Sequence, residues 1–271
     1  MSVLAIAEKD FRDAIRSRWL LGLTLLFLSL VSFVAYRVRP PAGETISSNA
    51  FLNAQLIGFM VGTLVPLTAL VISYNAISGE RESGSIKLLL SLPNSRTDVV
   101  FGKLIGRSMA FSSAVIIAFV IPAILLAVGP LEFDLLKFVT YVFFVCLLGS
   151  AFVGIAVGFS AAMSTQTRAL IGALAIYVLF IPVWSVAEIP LSLWLTATNP
   201  WWLPIEGREL YTLLRVGRPS GAFGIVTDVL LQPAEVTENQ RRIQVSAAAM
   251  MVFWTIAPPL VGLWKFDSDD L

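Results

Sequence analysis

The stretch from Thr45 to Gly79 contains no charged side chain, and it is one of several long apolar runs in this 271-residue chain. An ordinary soluble domain carries about a quarter charged residues, spread over a wetted surface. Here charged residues make up 14% and apolar residues 57% of the sequence, and the charges are clustered between the runs. Because about 20 apolar residues in a helix cross the roughly 30 Å hydrocarbon core of a bilayer, the runs predict an integral membrane protein.

Six segments are long enough to cross the bilayer. Backbone polar groups within lipid must be paired inside the segment, and the segments lack the alternation of membrane strands, so each is expected to be a helix. The predicted fold class is therefore all-α, an integral membrane bundle of six transmembrane helices with an N-terminal amphipathic surface helix. The expected spans are Trp19–Tyr36, a part of 45–79, Ser108–Leu131, a part of 138–167, Ala169–Ala187 and Val245–Trp264.

Lysine and arginine are concentrated in the short connections on one side of this bundle. Only Arg37, Arg39 and Lys137 fall in the two short loops on the other side. Short loops rich in these residues stay in the cytoplasm. The sequence therefore predicts a multi-pass protein of the plasma membrane with cytoplasmic N- and C-termini.

The segments outside the spans divide the chain further. Residues 1–18 set apolar positions against charges, which is typical of a helix lying on the inner membrane surface. Residues 19–265 form the transmembrane domain, followed by an acidic cytoplasmic tail. The remaining segments are a cytoplasmic loop (78–107), an extracytoplasmic loop (188–244) and the tail (266–271).

The extracytoplasmic loop opens with Ile189–Leu195, which is apolar but too short to cross the bilayer. It then turns at Asn199-Pro200. A short interfacial or re-entrant segment is expected there, and the region 199–209 is a candidate gate for an exit pathway.

Several classes of function are excluded by residues that the chain lacks. There is no histidine, and every aspartate falls outside the predicted spans, which excludes the intramembrane proteases. Gly79 and Gly84 have the glycine spacing of a phosphate-binding loop, but Ser85 stands where the lysine is required. The net charge of +1 offers no basic field for nucleic acid. We therefore expect no catalytic, cofactor or metal site in this chain.

Ion-coupled transport has little support in the sequence. Carriers of that class usually place ionisable residues at membrane depth, whereas the six predicted spans contain none. The single cysteine, Cys146, lies in an apolar run and indicates no disulfide framework.

The cytoplasmic loop between the second and third spans has a strong local pattern. Acidic residues at Glu80 and Glu82 suit the first turn of a helix, and Pro93 ends that helix near Ser91. Ser95 and Asp98 then form a capping-box-like start for the helix that enters the membrane. The pattern predicts a short helix, a sharp turn and a return.

This short helix is expected to present Ile86, Leu89 and Leu90 on one face, beside a cluster of charges. From the residues alone, a surface helix that merely connects two spans is the favoured interpretation.

The same loop resembles a known family. The residues Gly79-Glu80-Arg81-Glu82-Ser83-Gly84-Ser85, then Leu88-Leu89-Leu90-Ser91-Leu92-Pro93 with Arg96, then Gly102-Lys103 are similar to the signature of ABC-2 type transporter permeases. Ser85 replaces the threonine usual in that family and keeps the hydroxyl.

The resemblance implies that the loop is a coupling helix docked in a groove of a separate ATP-binding subunit. Ile86, Leu89 and Leu90 would be the anchors, and Glu80, Arg81, Glu82 and Lys87 would set specificity. Gly84, Ser85, Pro93 and Arg96 complete the expected docking site.

The resemblance also implies an exporter with two ATP-binding subunits, which bind ATP and Mg, and a second permease copy or paralogue that completes the pathway within the membrane lipid. Two alternatives remain open at this point, namely an ion-coupled secondary carrier and a non-transporting membrane anchor or assembly protein.

Small residues recur at four-residue spacing in two spans, as Gly58-x3-Gly62 and as Ser150-x3-Gly154-x3-Gly158. Such patterns allow close contact between helix backbones. Packing within the chain and packing against a second copy are both compatible with them.

Overall fold

The computed structural model describes residues 3–38, 46–47, 51–127, 131–132, 134–198, 206–231 and 236–268, and these are almost entirely helical. The helices are α1 (Val3–Ile15), α2 (Arg18–Arg37), α3 (Gln55–Ser73), α4 (Ser78–Glu82), α5 (Ser85–Ser91), α6 (Arg96–Ala127), α7 (Leu135–Ala162), α8 (Gln166–Val178), α9 (Trp184–Thr198), α10 (Gly207–Gly217), α11 (Pro219–Leu231) and α12 (Glu238–Ser268). A π-helical turn, Leu179–Val183, joins α8 to α9. Two short strands, β1 (Ile46–Ser47) and β2 (Leu131–Glu132), pair in parallel.

Within these ranges six helical segments are long and apolar enough to cross a membrane, which confirms the predicted all-α bundle. Several extend beyond the apolar core of the span into the charged connections. The third, for example, begins at Arg96 rather than at Ser108. The six are Arg18–Arg37, Gln55–Glu82, Arg96–Ile124, Leu135–Ala162, Gln166–Leu195 and Glu238–Ser268.

Helix α7 lies at the centre of the bundle, in contact with α3, α6, α11 and α12. Its most extensive contact is with α12, and glycines make that contact possible. A methyl group added at Gly158 would lie 2.6 Å from the carbonyl carbon of Pro258, and one at Gly154 would lie 2.9 Å from that of Thr255. These two glycines therefore pack within the chain.

The other small-residue pattern behaves differently. A methyl group added at Gly58 or Gly62 would meet nothing within 4 Å. The fifth membrane segment is also weakly covered, with 17% of its most apolar stretch buried against 61% for α7. A single chain thus leaves these helix surfaces open to lipid or to another protein.

The fifth membrane segment is longer than expected. Ile189–Leu195, expected as a separate interfacial or re-entrant piece, belongs to α9, which continues to Thr198. Within the predicted span, a π-helical turn surrounds Pro182, which lacks a backbone donor. Beyond the predicted end at Ala187 the helix continues through Pro190. Glu188 consequently lies within the helical segment, and the expectation that the membrane segments carry no charge was wrong there. Residues 199–205, with most of the candidate gate, lie outside the described ranges.

Helix α1 packs across the start of α6. Its residues Ile6, Ala7, Asp10 and Ala14 are buried. A methyl group added at Gly102 would lie 2.7 Å from the Cβ atom of Ile6, so glycine is required for this close crossing. The position of α1 on a membrane surface stays a prediction, since its inner face is covered by protein.

Candidate functional site

The loop between the second and third membrane segments has the predicted turn at Pro93 and return into the membrane, but the single short helix expected before the turn is divided into α4 and α5. Gly84, between α4 and α5, has a φ of 76°, a left-handed conformation that glycine adopts without strain. The amide nitrogen of Asp98 donates to the Ser95 hydroxyl over 3.0 Å, and the amide nitrogen of Ser95 donates to the Asp98 carboxylate over 2.9 Å. This capping box fixes the start of α6.

The two glutamates of the motif bind other parts of the same chain. The Lys103 ammonium group donates to Oε1 of Glu80 over 2.8 Å. The amide nitrogen of Gln166, at the start of α8, donates to Oε2 of Glu82 over 3.3 Å. Both carboxylates therefore hold α4 against membrane helices.

The two arginines of the motif converge on the end of α12. Arg81 donates to the carbonyls of Ala161 and Met163, each over 3.3 Å, at the end of α7. Its guanidinium lies 5.1 Å from the centre of the Phe266 ring, and that of Arg96 lies 5.0 Å from the same ring. Arg96 also donates to the Phe266 carbonyl. Phe266 is fully buried, so the loop is fixed to the ends of α7 and α12.

A buried ion cluster lies behind the loop, and we refer to Asp10, Glu80, Lys103 and Arg107 as the ion cluster. Lys103 is 4% exposed, and its ammonium group lies 3.4 Å from Oδ1 of Asp10 as well as next to Glu80. Nε of Arg107 lies 2.9 Å from Oδ2 of Asp10. Two cations thus balance two carboxylates, which is the condition for holding charge in a buried site.

Sequence reasoning missed the contribution of Asp10 and Arg107 to this arrangement. A signal was present, because Asp10 is a lone acidic residue among buried positions of α1, four residues from both Ile6 and Ala14. Residues at that spacing share one helix face. The partner of such a carboxylate, 93 residues away along the chain, could not be read from the same pattern.

One face of helix α5 packs against the rest of the chain, and the opposite face is exposed. Ile86 is 1% exposed, so its expected role as an anchor for a partner does not fit the structure. Leu89 and Leu90 are half-buried and pack against the core. The open face instead contains Leu88, which is 73% exposed, next to the exposed Lys87. Further exposed positions around it are Gly84, Ser85, Ser91, Leu92 and Pro93.

Comparison with known proteins agrees with the loop motif. Residues 4–271 match the family model of ABC-2 family transporter proteins. The chain belongs to this family. It is 28% identical to the probable ABC transporter permease protein NosY of Stutzerimonas stutzeri, over 82% of this chain and 85% of the relative. It is 30% identical to the NosY of Pseudomonas aeruginosa, over 79% and 81% of the two chains.

The chain is therefore a multi-pass membrane permease subunit of an ABC transporter. A permease subunit is a transport component, and membership of the family implies an ATP-binding partner subunit. The resemblance found in the loop motif is confirmed over nearly the whole chain.

The permease has a second polar cluster, formed by α9, α10 and the start of α11. Glu188 accepts hydrogen bonds from the Tyr211 hydroxyl over 2.8 Å and from Nη2 of Arg218 over 2.9 Å. The Arg218 guanidinium also lies 4.8 Å from the centre of the Trp184 ring. Burial lowers the pKa of Arg218, and the Glu188 carboxylate opposes that shift. This ion pair attaches the α10–α11 hairpin to the fifth membrane segment.

Replacing Arg218 by methionine is expected to loosen this hairpin. Loss of a charge-assisted hydrogen bond in a mostly buried site corresponds to roughly tenfold faster amide exchange or more. Hydrogen–deuterium exchange of residues 207–231 measures the effect. Arg208→Met, at an exposed position on α10, is the matched control and should leave exchange unchanged. Equal exchange in the two variants would show that the pair does not hold the hairpin.

Proposed function

We propose that this permease couples ATP hydrolysis in separate subunits to transport, and that the loop from Gly79 to Arg96 is where those subunits dock. Two ATP-binding subunits, carrying ATP and Mg, would each contact the loop of one permease copy. The observation that supports this most strongly is the division of α5 into two faces. One is fixed in the bundle, and the other presents an exposed leucine beside a lysine.

The open face suits docking in a groove of a partner. Leu88 is the apolar anchor in this proposal, since burying a leucine contributes about 1.5–3 kcal/mol. Lys87 sets charge complementarity next to it. Leu92 and Pro93 form the rim of the docking surface, and Gly84 and Ser85 form the turn at the start of α5. Leu89 and Leu90 support the helix from beneath.

The charged residues of the motif act as positioning residues. Glu80 and Glu82 hold α4 to α6 and α8, and Arg81 holds it to the ends of α7 and α12. Arg96 holds the start of α6 to Phe266 on α12. A displacement of α5 is therefore transmitted to the third, fourth, fifth and sixth membrane segments together. A helix attached at one point only would move without them.

The pathway in this proposal lies between two permease copies, or between this chain and a paralogue, in the plasma membrane. The weakly covered fifth segment and the open surface at Gly58 and Gly62 support a second subunit in the membrane. The termini lie in the cytoplasm, transport is export, and the outer loop at 199–209 gates the exit. An ion-coupled carrier or a membrane anchor would need no bound ATPase.

The docking test uses tagged permease purified from gently solubilised membranes, with ATP hydrolysis measured in the purified fraction. Leu88→Asp is expected to reduce the retained ATPase at least about tenfold, since a tenfold loss corresponds to about 1.4 kcal/mol and a buried leucine contributes more. Lys87→Glu should reduce it further when combined with Leu88→Asp.

The control is Leu4→Asp, the same change on α1, where Leu4 is 71% exposed. It should retain the ATPase. Full retention of the ATPase by Leu88→Asp would show that α5 is only a surface helix that connects two membrane segments. Transport in vesicles without any ATP-binding subunit would favour a carrier, and a stable complex without ATP hydrolysis would favour an anchor.

A further inference from the structure

A cavity of about 250 Å³ opens where the α1–α2 elbow meets the end of α3 and the side of α6. Its wall combines a cation, hydroxyl and amide groups with apolar and aromatic surface. A space of this size holds on the order of eight water molecules, or one compact polar group. The lining includes Ser17, Trp19, Leu20, Tyr74, Asn75 and Arg107.

The polar wall favours an anion. The contacts described for Arg107 are made by its Nε, to Asp10, and its Nη1, to the carbonyl of Ile72 over 2.5 Å. A guanidinium has five N–H donors, so donors remain for a ligand in the cavity. Arg16 and Arg18, both exposed, flank Ser17 on the elbow. The ion cluster is balanced, and these two arginines add positive charge on either side of Ser17, which lines the cavity.

The apolar surroundings favour an amphiphile over a free ion. Trp19 is 76% exposed in the first turn of the first membrane segment, the position at which tryptophan typically marks the headgroup layer. Leu21 and Leu25, exposed on α2 at four-residue spacing, continue from the cavity along the membrane segment. Basic pockets between membrane helices at this depth bind acidic lipid headgroups.

We infer that this cavity binds the phosphate of an anionic phospholipid, with the acyl chains lying along α2. Arg107 supplies the charge-assisted hydrogen bonds, and Ser17 and Asn75 supply neutral ones. The bound lipid would be connected to the docking loop through two residues, because Asp10 is shared by Arg107 and Lys103, and Lys103 binds Glu80. Binding itself does not depend on the proposed docking of an ATPase.

The test is native mass spectrometry of the purified permease chain with added lipid. Wild-type protein should retain phosphatidylglycerol in preference to phosphatidylcholine, and Arg107→Gln should weaken that binding about five- to tenfold, given the energy of one arginine near an acidic headgroup. Arg168→Gln, at an exposed position at the start of α8, is the matched control and should bind as wild type does.

A second variant covers the case in which loss of Arg107 disturbs the ion cluster and the fold. Asn75→Leu changes the cavity wall and leaves all four charges in place, and it should also lower phosphatidylglycerol binding at an unchanged unfolding temperature. Equal retention of phosphatidylcholine would overturn the proposal. The proposal would also be overturned if inorganic phosphate competed for the site as well as the lipid does. It would be overturned too if Asn75→Leu and every folded Arg107 variant bound phosphatidylglycerol as tightly as the wild-type protein.

Discussion

Replacing Lys103 by methionine is expected to destabilise the permease and to loosen the attachment of its docking loop to the bundle. The side chains of Lys103 and Asp10 are 5% and 6% exposed. Removing the ammonium group therefore leaves the two carboxylates of the ion cluster, Asp10 and Glu80, with Arg107 as their single cation. Breaking a buried ion pair from one side costs about 3–5 kcal/mol. Glu80 contributes less to this loss of stability than Asp10 does, because the Glu80 side chain is 23% exposed and partly solvated.

Two measurements detect this effect. The unfolding temperature of the purified permease should fall, and the ATPase retained in the docking assay should fall with it. Lys87→Met removes the same charge from the exposed face of α5 and should leave the unfolding temperature unchanged. It therefore separates loss of the internal pair from loss of a charge at the docking surface.

A double variant tests the charge balance directly. Lys103→Met with Glu80→Gln leaves Asp10 paired with Arg107, whose Nε lies 2.9 Å away. This combination should recover a large part of the stability that Lys103→Met loses, since no unpaired carboxylate remains. An unfolding temperature of Lys103→Met equal to wild type would contradict the assignment of a buried ion cluster. A double variant less stable than the single one would contradict the charge-balance argument.

Replacing Gly158 by leucine is expected to separate α7 from α12 and to prevent accumulation of folded permease. The first side-chain carbon alone would lie 2.6 Å from the carbonyl carbon of Pro258, and backbone atoms cannot move aside as a flexible side chain can. Overpacking typically costs 1–3 kcal/mol where side chains adjust, so about 3 kcal/mol is a lower estimate for a backbone clash. The contact affected is the most extensive one in the bundle.

The control places the same side chain where the helix surface is open. A methyl group at Gly22 on α2 would meet nothing within 4 Å. Leucine is also a better helix former than glycine, by about 0.5–1 kcal/mol. Gly22→Leu should therefore fold as wild type or slightly better. Size-exclusion chromatography of detergent-solubilised protein, with the yield of monodisperse permease, measures both. Equal yields from Gly158→Leu and wild type would show that α7 and α12 do not pack as closely as the structure has them.

The sequence by itself determined the features that depend on local physics. The six membrane segments follow from hydropathy, because lipid requires each backbone to pair within its own helix. The turn and return of the docking loop follow from Pro93 and the pair of Ser95 with Asp98, whose effects extend over a few residues. The break of the helix at Gly84 was not predicted. The family motif was readable for the same reason, since its residues are contiguous.

Only the tertiary structure decided which face of each helix is buried. Hydropathy cannot separate Ile86, inside the chain, from Leu88, outside it, because both are large aliphatic residues of the same short helix. It also cannot pair Lys103 with Asp10 or Glu188 with Arg218, because those contacts depend on which helices are neighbours. The continuation of the fifth helix past Ala187 to Thr198 was likewise a matter of context, since Glu188, which ends the apolar run, is paired with Arg218 in the fold.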